Sequence, residues 1–470
     1  MTMYLKTIFA TVLIIGCSCL ASAQEISVTW SKPFALKSSV SMYQTNPVAC
    51  AGENEKSLFI ISTKDPETYE SVLQRIDKVT LEVEHQVVFG WGEVFVKDKT
   101  VDIITGAIDE KQQNVTYSLK RYNHSLELLE TSEIINYPYI TCLPTGKKHT
   151  DLTPYLEKHN IPRGEWGNVP SGMLKFTYDA STRTHCGQSI CMSVLLDENY
   201  KLLQKIDHTI DEGIVLSNTL VNKDRSVVCY GAGGVKSNGV FTAFPVNVPK
   251  GMKVVSSKAI PGNDRNTIAV VTLTGKDYME PTLILFRTYS VNGVLLADAT
   301  IPITKDAMAL YKGDHKQAKL FYINANTDGT YGVWYAHYSD WPGSPGSRSV
   351  MFSTPVFIKL SSAGELLSHT RSGYKYMSSE SFNAIPYIAH NGDQTIIIRN
   401  ELGSVRSSVP ETASVYFADN TTGKLASQKE FTLPDRSTVA TSYTSRINEK
   451  SFLLVALRGK MCQIAYLTIP

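Results

Sequence analysis

A weak internal repeat limits the fold of this 470-residue chain more than any other feature. Several segments share one pattern: an alternating strand, a polar turn, then a leucine-bearing strand leading outward. The copies lie at 122–129, 198–203, 291–296 and 362–367, with a looser one at 420–425. Asn292-Gly293 reads as a two-residue hairpin turn, because both residues tolerate positive φ. Gly364 and Gly423 supply the same backbone freedom in their copies.

Short runs rich in Val, Ile, Phe and Tyr precede these turns, at 57–63, 100–107, 267–273, 319–324, 395–399 and 451–457. They alternate or stay apolar for five to eight residues between polar turns, which predicts strands. Helical periodicity is nearly absent. The best helix candidate is 151–159, with Asp151 as its N-cap. A unit of about four strands recurs along the whole chain, which predicts an all-β fold. One small sheet with two apolar faces can bury them only against its neighbours, so the units must close into a ring. The expected fold is a single β-propeller of four-stranded blades. Eight units begin near Asn46, Trp91, Tyr137, Ile214, Gly262, Ala307, Asn383 and Ser437. The last holds three strands, and its missing fourth is expected from residues 26–34, which would tie the two ends of the chain together. The fifth unit shows no clear inner strand before Thr267, so seven blades is the alternative count. A twin barrel or a sandwich is the alternative architecture.

Residues 1–23 read as an export signal and 24–470 as the propeller domain. Lys6 gives the positive start, 7–15 the short apolar run, and Ala21-Ser22-Ala23 the cleavage site before Gln24. A competing reading takes residues 14–17 as a bacterial lipobox, with Cys17 as a lipid anchor. No later stretch is apolar and long enough to predict a membrane-spanning helix. The mature chain resembles secreted β-propeller proteins, and its signal ending in Ala-Gln resembles those of Bacteroidota. That resemblance implies a periplasmic, cell-surface or secreted protein. The chain departs from two propeller groups. The Trp-Asp dipeptide that ends WD40 blades is absent, and residues 327–334 hold Asp, Gly and Trp in the wrong register for a sialidase-type box. No site residue carries over from a family.

Six cysteines follow the signal. Cys186 and Cys191 flank a short loop and, in an oxidising compartment, are expected to form a disulfide rather than half a zinc site. Cys50, Cys142, Cys229 and Cys462 are scattered in apolar runs and read as small core residues, with no pairing assigned.

The candidate ligand site lies in residues 331–347, where Trp334, Tyr335, His337, Tyr338, Asp340 and Trp341 precede a turn-rich Pro-Gly-Ser-Pro-Gly-Ser run. Exposed aromatic rings stack on sugars, and His and Asp fix hydroxyls. The alternative is that 331–338 is an ordinary strand whose aromatics pack between blades. A second candidate is the insertion 141–173, with His149, Asp151, His159, Glu165 and Trp166; it lacks metal-ligand spacing and reads more simply as a solvated excursion. Gly231, Gly233 and Gly234 lack the following helix that a dinucleotide loop needs, and read as a hairpin connection. No metal or cofactor is expected.

Forty-six basic and 44 acidic residues leave a net charge of +2, which gives no field to recruit nucleic acid. No Gly-x-Ser-x-Gly elbow is present. These features together predict an exported, non-catalytic binding or scaffolding protein of the cell envelope or exterior, with a protein or glycan partner. The alternative is a carbohydrate-active hydrolase or lyase whose acid–base groups converge at the channel mouth from several blades.

Overall fold

Eight four-stranded antiparallel sheets follow one another along the chain, each built by the meander order expected of a propeller blade. A computed structural model describes residues 25–35, 48–65, 70–90, 92–109, 114–138, 173–189, 192–207, 216–245, 247–276, 281–303, 317–342, 348–352, 356–371, 376–378, 386–392, 394–401, 412–434, 437–459 and 461–470. In blade 1, Val48–Glu53 is innermost and Val83–Phe89 outermost. Blades 2 to 7 have inner strands Gly92–Val96, Lys175–Asp179, Asn218–Val221, Lys253–Pro261, Gln317–Ala325 and Tyr387–Asn391. Blade 8 takes its three inner layers from the last residues of the chain and its outermost strand, Ser27–Trp30, from the first described ones.

That strand pairs antiparallel with Met461–Thr468, from Ser27 opposite Thr468 to Trp30 opposite Ala465. Ser31 N–H donates to Ile464 O at 2.8 Å, and Ile464 N–H donates back to Ser31 Oγ at 3.1 Å. Trp30 and Val28 pack on the apolar cluster between blades 7 and 8. The ring is therefore closed by the pairing expected from residues 26–34.

The hydrophobic runs are continuous where the second strand of a blade is buried on both faces. Ile268 and Val270 face blade 4, while Ala269, Val271 and Leu273 face blade 6. Ile396 and Ile398 face blade 8, while Ile397 faces blade 6. A buried apolar cluster sits at each of the eight junctions, including the one between blades 8 and 1. The apolar core is thus a ring of eight contacts rather than one centre, which a seven-bladed count or a sandwich does not produce.

Three unit boundaries shift from those expected; the inner strand of blade 6 starts at Gln317 rather than near Ala307. Tyr137 ends the outer strand of blade 2, Leu128–Pro138, and blade 3 starts at Lys175. Blade 5 starts at Lys253, not Gly262. Its inner strand, Lys253–Pro261, is polar at Ser256, Ser257 and Lys258, so the apolar pattern that betrays a strand is missing there. The helix candidate 151–159 lies outside the described residues, as does the insertion 141–173 except for Met173, which is buried between blades 2 and 3. The Gly231–Gly234 segment is a hairpin, with Gly231 opposite Gly234.

The Cys186–Cys191 disulfide is not present. Cys186 is a free thiol buried in the strand Thr184–Gln188, packed with Leu195, Val227 and Cys229 between blades 3 and 4; Cys191 lies outside the described residues. Burial pushes its thiol up to about 12, so it stays protonated and inert. Cys50, Cys229 and Cys462 are likewise free, and Cys142 lies outside the described residues.

Polar ties supplement the apolar junctions. Between blades 2 and 3 the fully buried Asp102 accepts from Arg121 Nε at 2.9 Å and from the Tyr200 hydroxyl at 2.8 Å, and pairs with Lys97 at 2.9 Å. Burial alone would raise the Asp102 pKa, but the Arg121 and Lys97 contacts outweigh it and hold the carboxyl below its ordinary range.

Candidate functional site

The repeat noticed in the sequence is the turn from third to outermost strand, and its geometry is shared. The backbone takes positive φ at Leu81, Leu126, Tyr200, Gly293, Gly364 and Gly423. Each of these residues packs against the preceding blade. Leu126 enters the cluster with Phe59, and Tyr200 reaches Asp102. At the glycines the preceding blade fills the space instead: a Cβ on Gly293, Gly364 or Gly423 would collide with Thr242, Ala299 or Phe357.

Directly after the turn, each outermost strand of blades 1, 2, 3, 5, 6 and 7 carries a one-residue β-bulge. The residues left out of register are Glu84, Leu129, Leu203, Leu296, Leu367 and Ala426. In four blades the bulge residue and its predecessor form a leucine pair: Leu128-Leu129, Leu202-Leu203, Leu295-Leu296 and Leu366-Leu367. These eight side chains are 41% to 58% exposed. Val83 in blade 1 and Val240 in blade 4 are exposed at the start of their outermost strands as well. Because strands alternate in direction, the first and third turns of every blade share one face. The exposed residues therefore form an apolar arc along that rim from blade 1 to blade 6.

The opposite face carries the aromatic segment expected to bind a ligand. Tyr331–Pro342 is a single strand whose first half belongs to blade 6. Its second half runs past the blade, where Tyr338 to Pro342 pair with Arg348–Phe352, which in turn pairs with Tyr376–Ser378. Trp334 and Tyr335 are not on this ribbon. Both are fully buried, Trp334 against Phe357 toward blade 7 and Tyr335 toward blade 5. Strand alternation sends these consecutive rings into opposite junctions, so neither is open to stack on a ligand. His337, Tyr338, Asp340 and Trp341 lie on the half that leads into the ribbon, and their side chains fall outside the described residues.

The inner strands line the central channel, and their register brings charged groups to one level. Glu93, Lys175, Lys258 and Tyr387 each stand opposite the fifth residue of the next strand, namely Ile104, Gln188, Val271 and Ile398. Ala49 and Leu320 hold the same position in blades 1 and 6. Burial pushes the Glu93 carboxyl up to about 7, with Lys175 partly opposing the shift. At this belt Glu93 is the one carboxyl among the described residues, so the two-carboxylate arrangement of glycoside hydrolysis is not assembled there. None of these groups stands in a local motif. The weak sequence trace is a charge within some of the inner strands, and only the ring makes them neighbours.

No family model matches the chain, and no curated protein matches it. Among solved structures it is similar to BamB from Moraxella catarrhalis, at 8% identity and a TM-score of 0.40, over 94% of this chain and 100% of that one. It is also similar to the WD40 domain of SCAP from fission yeast, at 9% identity and a TM-score of 0.34, over 93% and 98% of the two chains. The Dos1 propeller matches at 10% identity and a TM-score of 0.34, over 92% and 82%. The eight-bladed assignment rests on the sheets and their closure, not on these distant likenesses.

Proposed function

We propose that this chain is an exported, non-catalytic binding or scaffolding protein of the cell envelope, and that its partner is a protein engaged along the leucine rim. The observation that carries this reading is the recurrence of exposed leucine pairs at one structural position in blades 2, 3, 5 and 6. Isolated exposed leucines are ordinary, but an arc of them concentrates apolar area where a partner removes it from water. The bulge beneath each pair also twists the outer edge, which discourages indiscriminate strand addition and leaves side chains to make the contact. Export rests on the first 23 residues, with Cys17 as the alternative anchoring point.

Replacing Leu129, Leu203, Leu296 and Leu367 together by Asn tests the assignment. These surface changes should each shift stability by no more than about 0.5 kcal/mol. Chemical crosslinking in envelope fractions, read by mass spectrometry, is expected to lose the wild-type partner in the folded variant. Retention of the same crosslinked partner by that variant overturns the rim as the binding surface.

A further inference from the structure

A cavity of about 200 Å³ opens between the inner strands of blades 4, 5 and 6, lined by Ser217, Asn218, Ser257, Lys258 and the segment around Tyr322. Its chemistry differs from the rest of the chain. The Lys258 Nζ donates to Phe321 O at 3.0 Å, which uses one of its three N–H directions. Lys319, on the adjacent inner strand of blade 6, adds a second positive charge that acts on Lys258. Among the described residues neither lysine is paired with a carboxylate. Several other sheltered cations are paired with a carboxylate, among them Arg121 with Asp102, Arg265 with Asp179, Arg287 with Asp298, Lys359 with Asp328 and Arg399 with Glu401.

A half-buried lysine at a polar hollow, with a second positive charge acting on it, is costly unless a negative group joins it. Burial, with a smaller push from Lys319, lowers the Lys258 pKa to about 8. At pH 7 Lys258 is still mostly protonated, so the hollow is positive under ordinary conditions. Asn218 donates one amide hydrogen to Ser217 at 3.0 Å and keeps the other for a guest. The volume is below the roughly 300 Å³ at which drug-sized ligand pockets begin. It suits a single anionic group.

We propose that this cavity is an oxyanion-binding site, taking the carboxylate, phosphate or sulfate group of a small molecule or of a partner's side chain on Lys258, with the charge of Lys319 adding to the attraction from outside the lining. The site lies on the channel wall and does not depend on the leucine rim. Phosphate, sulfate and acetate provide the test, each compared with chloride at equal ionic strength and pH 7. Thermal unfolding of the wild-type chain should shift upward by several degrees with at least one of the three oxyanions. Lys258→Met should abolish most of that shift, and Lys319→Met should reduce it. In chloride alone both variants should unfold at or above the wild-type temperature, because an uncompensated charge has been removed. A shift with acetate alone assigns the site to carboxylates; one with phosphate or sulfate assigns it to tetrahedral anions. No oxyanion-specific shift in the wild type, or the same shift surviving in both variants, overturns the proposal. Should Lys258→Met fail to fold, Lys319→Met decides, since the Lys319 side chain is exposed to solvent.

Discussion

His185 shows how an ionisable side chain is held in a core at a cost. Its ring is fully buried among Phe95, Tyr178 and Tyr200, with centroid distances of 4.8, 4.7 and 4.3 Å. Neither ring nitrogen has a hydrogen-bond partner among the described residues. Burial, reinforced by the nearby Lys97, lowers its pKa from 6.5 to about 3. The folded protein therefore keeps this imidazole neutral where the unfolded chain takes up a proton. Stability falls as pH drops through the window from about 6.5 to about 3, at up to about 1.4 kcal/mol per pH unit. His185→Phe preserves the aromatic packing and removes two unsatisfied nitrogens. Urea denaturation at pH 7 should show a gain of about 1–3 kcal/mol, and the gap over wild type should widen at pH 5. Asp102 acts lower on the scale. Its pKa is depressed, so its contribution is full above the unfolded value near 3.8 and is lost only below it, and the variant should retain that acid limb. An unchanged slope between pH 7 and pH 5 would mean that the imidazole is hydrated in solution.

At the level of elements, the turn and the bulge after it form one device. The positive-φ residue plugs the preceding blade, or is glycine where that blade already fills the socket. Gly423 is the strictest case, with φ at +66° and the Phe357 ring where a Cβ would lie. Gly423→Ala is expected to cost about 2 kcal/mol or more through strain and collision together. Leu126 has the same backbone sign but fills an apolar socket, so Leu126→Ala should cost about 2–5 kcal/mol through a cavity instead. Equilibrium denaturation of both variants checks this, and a neutral Gly423→Ala would show that the Phe357 ring gives way freely. The same device explains which blades lacked the repeat. Blade 4 joins its last strands by Asn238-Gly239, both at positive φ, with no bulge. Blade 8 has no such turn, because its outermost strand arrives from the other end of the chain.

For the whole molecule, the closing strand sets the stability of the ring. Deleting residues 24–31 uncovers the edge of Met461–Thr468 and removes Val28 and Trp30 from the junction of blades 7 and 8. A loss of at least about 3 kcal/mol is expected, on the scale of removing a large aromatic from a core. An unchanged denaturation midpoint would show that the ring holds without its clasp. Much of this architecture was already legible in the chain. Six strands appear where alternating or continuous apolar runs placed them, and a last unit one strand short implied the amino-terminal clasp. These features are local or follow from counting, because a strand buried on both faces must be apolar and a sheet must pair its edge. The inner strand of blade 5 escaped because channel walls are polar. The Cys186–Cys191 bridge failed because strand alternation turns Cys186 into a blade junction. Trp334 and Tyr335 were removed from the surface by the same alternation. The leucine pairs were visible as a repeat, but their exposure was not, since one sequence pattern serves a core or a rim equally well. Lys258 of the channel cavity and Lys319 lie about sixty residues apart in sequence, and one acts on the other only because the ring sets one inner strand beside the next. The sequence by itself determined the strands and the need for a ring; which side chains face water, a neighbour or the channel was decided by the ring's register.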